Sequence, residues 1–288
     1  MTRASPMLLA VTVAAACTGG QRLPSAPHGE PVIEVRGAIK GGPYRLGETD
    51  LAALPRRELR GVDPTTGRES RWEGPDLASL VKRVELSRGA DTVIVHTQDR
   101  MAIPIPITMI RQLRPVLADH AEGAPFAGRL LAWPSAEQRG LASDPRAALW
   151  WARGVTSLEL VNGQRTYGRA LFVPEAALEG ARLGEEIFES RCVACHRVRK
   201  MGGQKGPDLT RAADRLKLEP LRALLENHPG WNQRGLEPLA EEAPTQVLAF
   251  LRSVSAYAAS GAPGGAGGER GGEEELEDES RPPPPGRY

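Results

Sequence analysis

The five residues from Cys192 to His196 constrain this chain more than any other stretch of its sequence. They read Cys-Val-Ala-Cys-His, so two thiols lie three residues apart and an imidazole follows directly. On one helical turn, both thiols can add to the vinyl groups of a porphyrin, and the adjacent imidazole can bind its iron. The spacing therefore predicts one covalent haem, with thioether bonds at Cys192 and Cys195 and with His196 as an iron ligand.

The cysteine content weighs against two other interpretations of this motif. A zinc site needs a second pair of ligands, but the third and last cysteine, Cys17, lies near the N-terminus. A redox dithiol is typical of a βαβ context, which the surrounding sequence lacks. Haem attachment is the interpretation that remains.

The residues on either side of the motif resemble those of class I c-type cytochromes. Gly184 and Phe188 precede Cys192 with the spacing of that family's first helix, and residues 206–209 (Gly-Pro-Asp-Leu) resemble its G-P-x-L segment. In that family the proline carbonyl accepts a hydrogen bond from the iron-binding histidine. The resemblance implies this role for Pro207.

Two runs of apolar residues at helical spacing follow the motif. They comprise Leu218, Leu221, Leu224 and Leu225, and then Val247, Leu248, Phe250, Leu251 and Val254. In this order around a haem motif they resemble the remaining helices of the same family, in which the last helix crosses the first. We therefore expect an all-α cytochrome c domain over residues 174–258.

The second axial ligand of the iron is left open by the sequence. The family usually places a methionine before the last helix, but Leu236 stands there, and His228 precedes it by eight residues. His228 is one candidate; the others are a five-coordinate or water-ligated iron, and a ligand from elsewhere such as Lys205 or a residue of the first domain. A histidine lowers the reduction potential relative to a methionine, whereas an open iron would bind small gases.

The pattern of residues 31–172 predicts a separate α+β domain with a mixed sheet. The predicted strands are 32–35, 91–97, 129–133 and 155–161, and the predicted helices are 50–54, 75–81 and 107–113. Strands and helices are interspersed without the long regular alternation of a doubly wound sheet.

Four short segments of this region resemble the molybdopterin-binding domain of the sulfite-oxidase-like family. They are Ile33–Gly37, Asp50–Pro55, Trp72–Leu80 and Trp150–Leu160. That family binds molybdenum through a cysteine, but residues 59–63 (Leu-Arg-Gly-Val-Asp) fill the corresponding region here. We therefore expect a domain without molybdopterin, retained for binding or docking. His96 and Arg100 lie at a predicted strand end, where they either line a pocket or are structural.

The sequences near both termini indicate segments that lie outside the two folded domains. Residues 1–17 resemble a bacterial lipoprotein signal peptide, because an apolar run too short to span a bilayer ends in three alanines and Cys17. An ordinary cleaved signal peptide is the alternative, and both predict export to the periplasm. We expect residues 18–30 to form a flexible tether. Residues 259–288 are rich in Gly, Glu and Pro, and this composition predicts disorder.

Charge and motif together favour electron transfer as the function. The net charge is +1, with 37 basic and 36 acidic residues, which argues against nucleic acid as the main partner. We expect an exported, lipid-anchored protein that exchanges electrons with a redox partner, and so a carrier rather than a catalyst. The alternatives are an enzyme or enzyme subunit whose first domain binds an oxyanion or a pterin, and a haem-based gas sensor.

Several basic residues lie close to the motif in the sequence. They form either a docking face for an acidic partner or a solvated edge, and they are Arg191, Arg197, Arg199, Lys200 and Lys205.

Overall fold

The computed structural model describes residues 23–142, 144, 146–174, 179–232 and 238–259. The predicted signal peptide, the predicted tail beyond residue 259 and Leu236 lie outside these residues. An α+β region, residues 23–174, precedes a helical region, residues 179–259. The predicted order of an α+β part followed by a helical part is confirmed, and we refer to these parts as the N-terminal and C-terminal domains.

The N-terminal domain contains nine strands and six helices among its described residues. The strands are β1 (Pro31–Gly37), β2 (Tyr44–Gly47), β3 (Arg56–Asp63), β4 (Arg68–Pro75), β5 (Thr92–Thr97), β6 (Ala102–Pro106), β7 (Val116–Ala121), β8 (Ala124–Ala132) and β9 (Val155–Val161). The helices are α1 (Glu48–Ala52), α2 (Leu77–Arg83), α3 (Ile107–Leu113), α4 (Arg139–Ala142), α5 (Ala147–Trp150) and α6 (Gly163–Ala170).

These strands form two sheets that share one hydrophobic core. The first sheet has the order β2-β1-β9-β5-β6 and is mixed, because β1 and β9 are parallel while its other pairs are antiparallel. The second sheet, β3-β4-β7-β8, is antiparallel throughout. The core includes Trp133 and Trp150, which are fully buried, and the indole of Trp133 donates to the Trp150 carbonyl at 2.9 Å.

Most predicted elements of this domain are present, with small shifts at their ends. The predicted helix 107–113 and the predicted strand 155–161 have the bounds of α3 and β9. The helix predicted from Pro75 begins at Leu77 instead, because Pro75 ends β4 and the side chain of Asp76 caps the helix by accepting from the Ala78 amide.

Packing of this domain also begins before the predicted boundary at residue 31. Leu23 is buried in the core, and the amide of His28 donates to Asp50 at 2.9 Å. Residues 23–30 therefore lie against the domain, although the sequence predicted a tether there. In the described part of the chain, no helix is both long enough and apolar enough to cross a membrane.

The outer edge of β6, the last strand of the first sheet, contacts the C-terminal domain and helps to position it. Its first residue, Ala102, donates its amide to the Ala194 carbonyl at 2.9 Å, so its N–H points away from β5. Because alternate residues of a strand point their amides the same way, the next two outward positions are Pro104 and Pro106. Proline has no N–H to donate. The edge therefore offers one donor, and the haem motif accepts from it.

The C-terminal domain is built on two crossing helices. Its elements are α7 (Glu179–Ile187), a π-helical turn (Phe188–Cys192), β10 (Arg197–Val198), β11 (Met201–Gly202), a 3-10 turn (Ala212–Asp214), α8 (Leu218–Glu226), α9 (Pro229–Asn232) and α10 (Ala243–Ala259). Phe188 and Phe250 are fully buried where α7 meets α10, and their ring centroids are 5.2 Å apart. At Gly184 the helices approach so closely that a Cβ atom would lie 2.0 Å from the Gln246 carbonyl oxygen.

We predict that Gly184→Ala destabilises the C-terminal domain by about 2 kcal/mol, because a methyl group at the crossing would force the helices apart. Gly180→Ala is the matched control, since Gly180 lies on the same helix with open space around it. The control should be neutral or stabilise by about 0.5 kcal/mol through helix propensity. Urea unfolding followed by helical circular dichroism measures both changes. Equal midpoints for the two variants would contradict the close crossing.

Candidate functional site

The Cys-x-x-Cys-His motif follows directly from the helix α7 through its π-helical turn. The amide of Val193 donates to the Phe188 carbonyl, five residues earlier, at 2.9 Å. The amide of His196 then donates to the Cys192 carbonyl at 2.8 Å. Such π-turns occur often at functional sites because the extra residue re-aims the side chains that follow. Here Cys192, Cys195 and His196 all line one cavity.

The walls of this cavity are almost entirely apolar. They are formed by Leu149, Phe188, Pro207, Leu209, Leu216, Leu221, Leu224, Leu225, Val247 and Leu251. Leu149 belongs to α5 and so comes from the N-terminal domain, whereas the other wall residues belong to the C-terminal domain. The polar groups that reach the cavity are Arg191, His228, His196 and the two thiols. Apolar walls with a few convergent polar groups are typical of a site for a small molecule or a cofactor.

His196 is held by the segment that follows the motif. Its Nδ1 atom lies 3.0 Å from the carbonyl oxygen of Pro207, the contact that the family resemblance implies. When Nδ1 donates this hydrogen bond, the lone pair of Nε2 is left to bind a metal. The preceding Gly206 packs its backbone against the ring, where a Cβ atom would lie 2.3 Å from Cε1 of His196. The ring is therefore fixed both by a hydrogen bond and by contact.

His228 faces His196 across the cavity. The two ring centroids are 5.9 Å apart, and the ring planes are inclined at 68°. Two imidazoles bound to opposite sides of one metal ion have centroids about 6 Å apart, because each metal–nitrogen bond is about 2 Å long. Partial burial, and next the neighbouring His196, hold the pKa of His228 below its ordinary value. This favours the neutral imidazole, which is the form that binds metals.

The thiol of Cys192 is buried in apolar surroundings. Burial, and next the neighbouring Cys195, raise the pKa of Cys192 to about 12. Burial in apolar surroundings therefore favours the neutral thiol of Cys192 over the thiolate. Within the described residues, no group of three or more His, Cys, Asp or Glu side chains converges on a metal position.

Two of the predicted basic residues have partners that the sequence did not indicate. Arg199 was expected either at a docking face or on a solvated edge, and both expectations were wrong, because its side chain is buried and donates to main-chain carbonyls. The acceptors are the carbonyls of Arg169, Ala170, Phe172 and Val254. Lys205, a candidate iron ligand, instead places its Nζ 2.7 Å from the carboxylate of Asp99 in the N-terminal domain.

His96 and Arg100 were expected either to line a pocket or to be structural. Nε2 of His96 lies 2.8 Å from the carboxylate of Glu159, on the neighbouring strand. Neither residue lines the cavity that holds the motif. Arg100 nevertheless contacts the motif's loop through its backbone, since its carbonyl accepts from the Gln204 amide at 2.8 Å. Sequence reasoning missed this contact because a backbone acceptor leaves no residue-type signal.

Comparison with known proteins identifies the C-terminal part. Residues 181–255 match the family model Cytochrome c, and a cytochrome c domain implies covalent haem c and haem-based electron transfer. No curated protein matches the chain. Among solved structures, the sulfane dehydrogenase SoxCD from Paracoccus pantotrophus is similar at 12% identity, with a TM-score of 0.37. That match covers 50% of this chain and 40% of the SoxCD chain, so it spans less than half of that chain.

We predict that Gly206→Ala displaces the ring of His196, because the added methyl group would overlap it. The bond to Pro207 should then weaken, and the absorption bands of the bound haem should shift towards a high-spin form. Gly140→Ala is the control, since Gly140 is exposed and a Cβ there meets nothing within 4 Å. The spectrum of the oxidised protein measures the effect. Bands identical to those of the wild type would mean that the ring tolerates the methyl group.

Proposed function

We propose that this protein carries one haem c, bonded to Cys192 and Cys195 and ligated by His196 and His228, and that it exchanges electrons with a redox partner. The observation that carries the proposal is a single apolar cavity into which both thiols and both imidazoles project. The match of residues 181–255 to the cytochrome c family supports the covalent haem and the electron transfer. The ligation by His228 rests on the separation of the two imidazoles.

Each side chain in the cavity has a defined task in this proposal. The two thiols would attach the macrocycle, and His196, oriented by Pro207, would bind the iron. His228 would be the second iron ligand, and the leucines that line the cavity would exclude water from the site. When bound, the haem supplies one-electron chemistry by changing between its ferric and ferrous forms. No side chain has to make or break a bond during the electron exchange.

The N-terminal domain has a docking role in this proposal and does not hold molybdopterin. The region in which the sulfite-oxidase-like family carries its cysteine lies here on β3, which contains no thiol. The space beside Gly61 on that strand is filled, since a Cβ atom there would lie 2.2 Å from the Trp133 carbonyl and 2.9 Å from the Trp151 ring. These residues do not fit a molybdenum site.

We also place the protein in the periplasm, held to a membrane by a lipid on Cys17. The support is the sequence alone, namely an apolar run followed by three alanines and a cysteine. The attachment of haem to a Cys-x-x-Cys-His motif takes place outside the cytoplasm, so export and covalent haem are consistent with each other.

The intact mass of the full-length protein, matured in the periplasm and extracted with detergent, tests both covalent modifications. We expect the mass of the chain from Cys17, plus a lipid and one haem. Cys17→Ser should carry no lipid but keep the haem, whereas the double variant Cys192→Ser, Cys195→Ser should lose only the haem. A colourless wild-type protein with the mass of bare or merely lipidated peptide would overturn the proposal.

His228→Ala tests the second axial ligand. We expect the variant to keep its covalent haem but to lose the six-coordinate spectrum, and its reduced form should bind carbon monoxide readily because one iron position is then open. His120→Ala is the control, since His120 lies on β7 of the N-terminal domain. Reduced-minus-oxidised spectra, with and without carbon monoxide, measure the change. An unchanged spectrum in His228→Ala would eliminate His228 as the ligand.

A further inference from the structure

The turn between β5 and β6 is shaped before it meets the C-terminal domain. The hydroxyl of Thr97 donates to the carboxylate of Asp99 at 2.5 Å and accepts from the Met101 amide at 3.1 Å. Arg100 has a left-handed backbone, with φ of 65°. A non-glycine residue rarely adopts this conformation unless surrounding contacts impose it. As a result, the Arg100 carbonyl and the Asp99 carboxylate both face the C-terminal domain.

This turn and the first residue of β6 contact the haem motif and the loop that follows it at three points. The Ala102 amide donates to the Ala194 carbonyl at 2.9 Å, and the Arg100 carbonyl accepts from the Gln204 amide at 2.8 Å. The ammonium group of Lys205 lies 2.7 Å from the Asp99 carboxylate. The motif, at residue 194, and the far end of the loop, at residues 204–205, are thereby attached to the sheet edge of the N-terminal domain.

The second of these attachments lies directly before the residues that hold His196. Lys205 is followed by Gly206, whose amide donates to the Cys195 carbonyl at 2.8 Å and whose backbone packs against the imidazole. Pro207 comes next and supplies the acceptor for Nδ1 of His196. With only one residue between them, the position of Lys205 restricts the position of the Pro207 carbonyl. A contact from the N-terminal domain is thus transmitted to the iron-binding ring.

We propose that Asp99 and Lys205 are positioning residues, through which the N-terminal domain fixes His196 and sets the ferric–ferrous equilibrium of the haem. The inference rests on the proposed function, because it requires the haem. A firm hydrogen bond from Nδ1 makes the imidazole a stronger ligand, which stabilises the ferric iron. Detaching the loop weakens that bond, and this favours the ferrous form.

The sign of the shift in the reduction potential distinguishes a positioning role from a purely electrostatic effect of the changed charge. Asp99→Asn removes a negative charge and Lys205→Met removes a positive charge, so electrostatics alone would shift the reduction potential in opposite directions. Loss of the attachment is common to both variants and would raise the potential in both. We expect each variant to favour the ferrous form about threefold, which is about 30 mV for a one-electron couple. The double variant should shift no further than either single variant.

Potentiometric titration of the full-length holoprotein measures these shifts. Arg211→Met is the charge control, since Arg211 pairs with Asp214 within the C-terminal domain and makes no contact of this kind with the sheet edge. Asp99→Glu should restore the wild-type potential, because it restores a carboxylate partner for Lys205. Hydrogen exchange at the Gln204 amide should be faster in Asp99→Asn than in the wild type.

The possible results distinguish this inference from the proposed function on which it rests. Covalent haem with opposite shifts, or with no shift in one or both single variants, would overturn the positioning role and leave electron transfer intact. A full-length protein without covalent haem would overturn both. Upward shifts in both single variants, with rescue by Asp99→Glu, would establish the positioning role.

Discussion

The hydrogen bond between Nδ1 of His196 and the carbonyl of Pro207 is the contact on which the rest of the site depends. It selects the tautomer in which Nε2 can bind a metal, and it fixes the direction of that lone pair. The bond is possible because Gly206 has no side chain between the loop and the ring. The opposing position of His228 has a functional meaning only if the ring of His196 is held in this way.

The two domains are joined by contacts that satisfy buried polar groups rather than by apolar packing alone. Arg199 illustrates this, because burial lowers its pKa and would be costly without hydrogen-bond partners. Its guanidinium donates to three carbonyls at the end of the N-terminal domain and to one on α10, and it lies 4.4 Å from the centroid of the Tyr257 ring. A guanidinium suits this position because it offers five donors in a fixed plane. The end of the N-terminal domain, the loop that contains Arg199 and the last helix are thereby held together.

How well each part could be predicted depends on whether its signal is local in the sequence. The strand β9 and the helix α3 were predicted because their apolar residues recur at short, regular spacings. The strands β3 and β4 were missed because arginine and glutamate alternate along their exposed faces and obscure the apolar positions. In the site, Cys192, Cys195, His196 and Pro207 follow from a local motif. The contact of Lys205 with Asp99 joins residues 106 positions apart, and no local pattern encodes it.

A domain without a thiol for molybdenum can still contribute to a redox site through its surface. The N-terminal domain supplies Leu149 to the cavity wall, the Ala102 amide to the motif and the Arg100 carbonyl to the loop. An apolar wall disfavours the charge of a ferric iron, whereas a second imidazole ligand favours the ferric form. These two effects shift the reduction potential in opposite directions, so it is sensitive to small changes in the cavity wall and in the loop. Both the wall and the loop include contacts from the N-terminal domain, so that domain contributes to the environment of the motif.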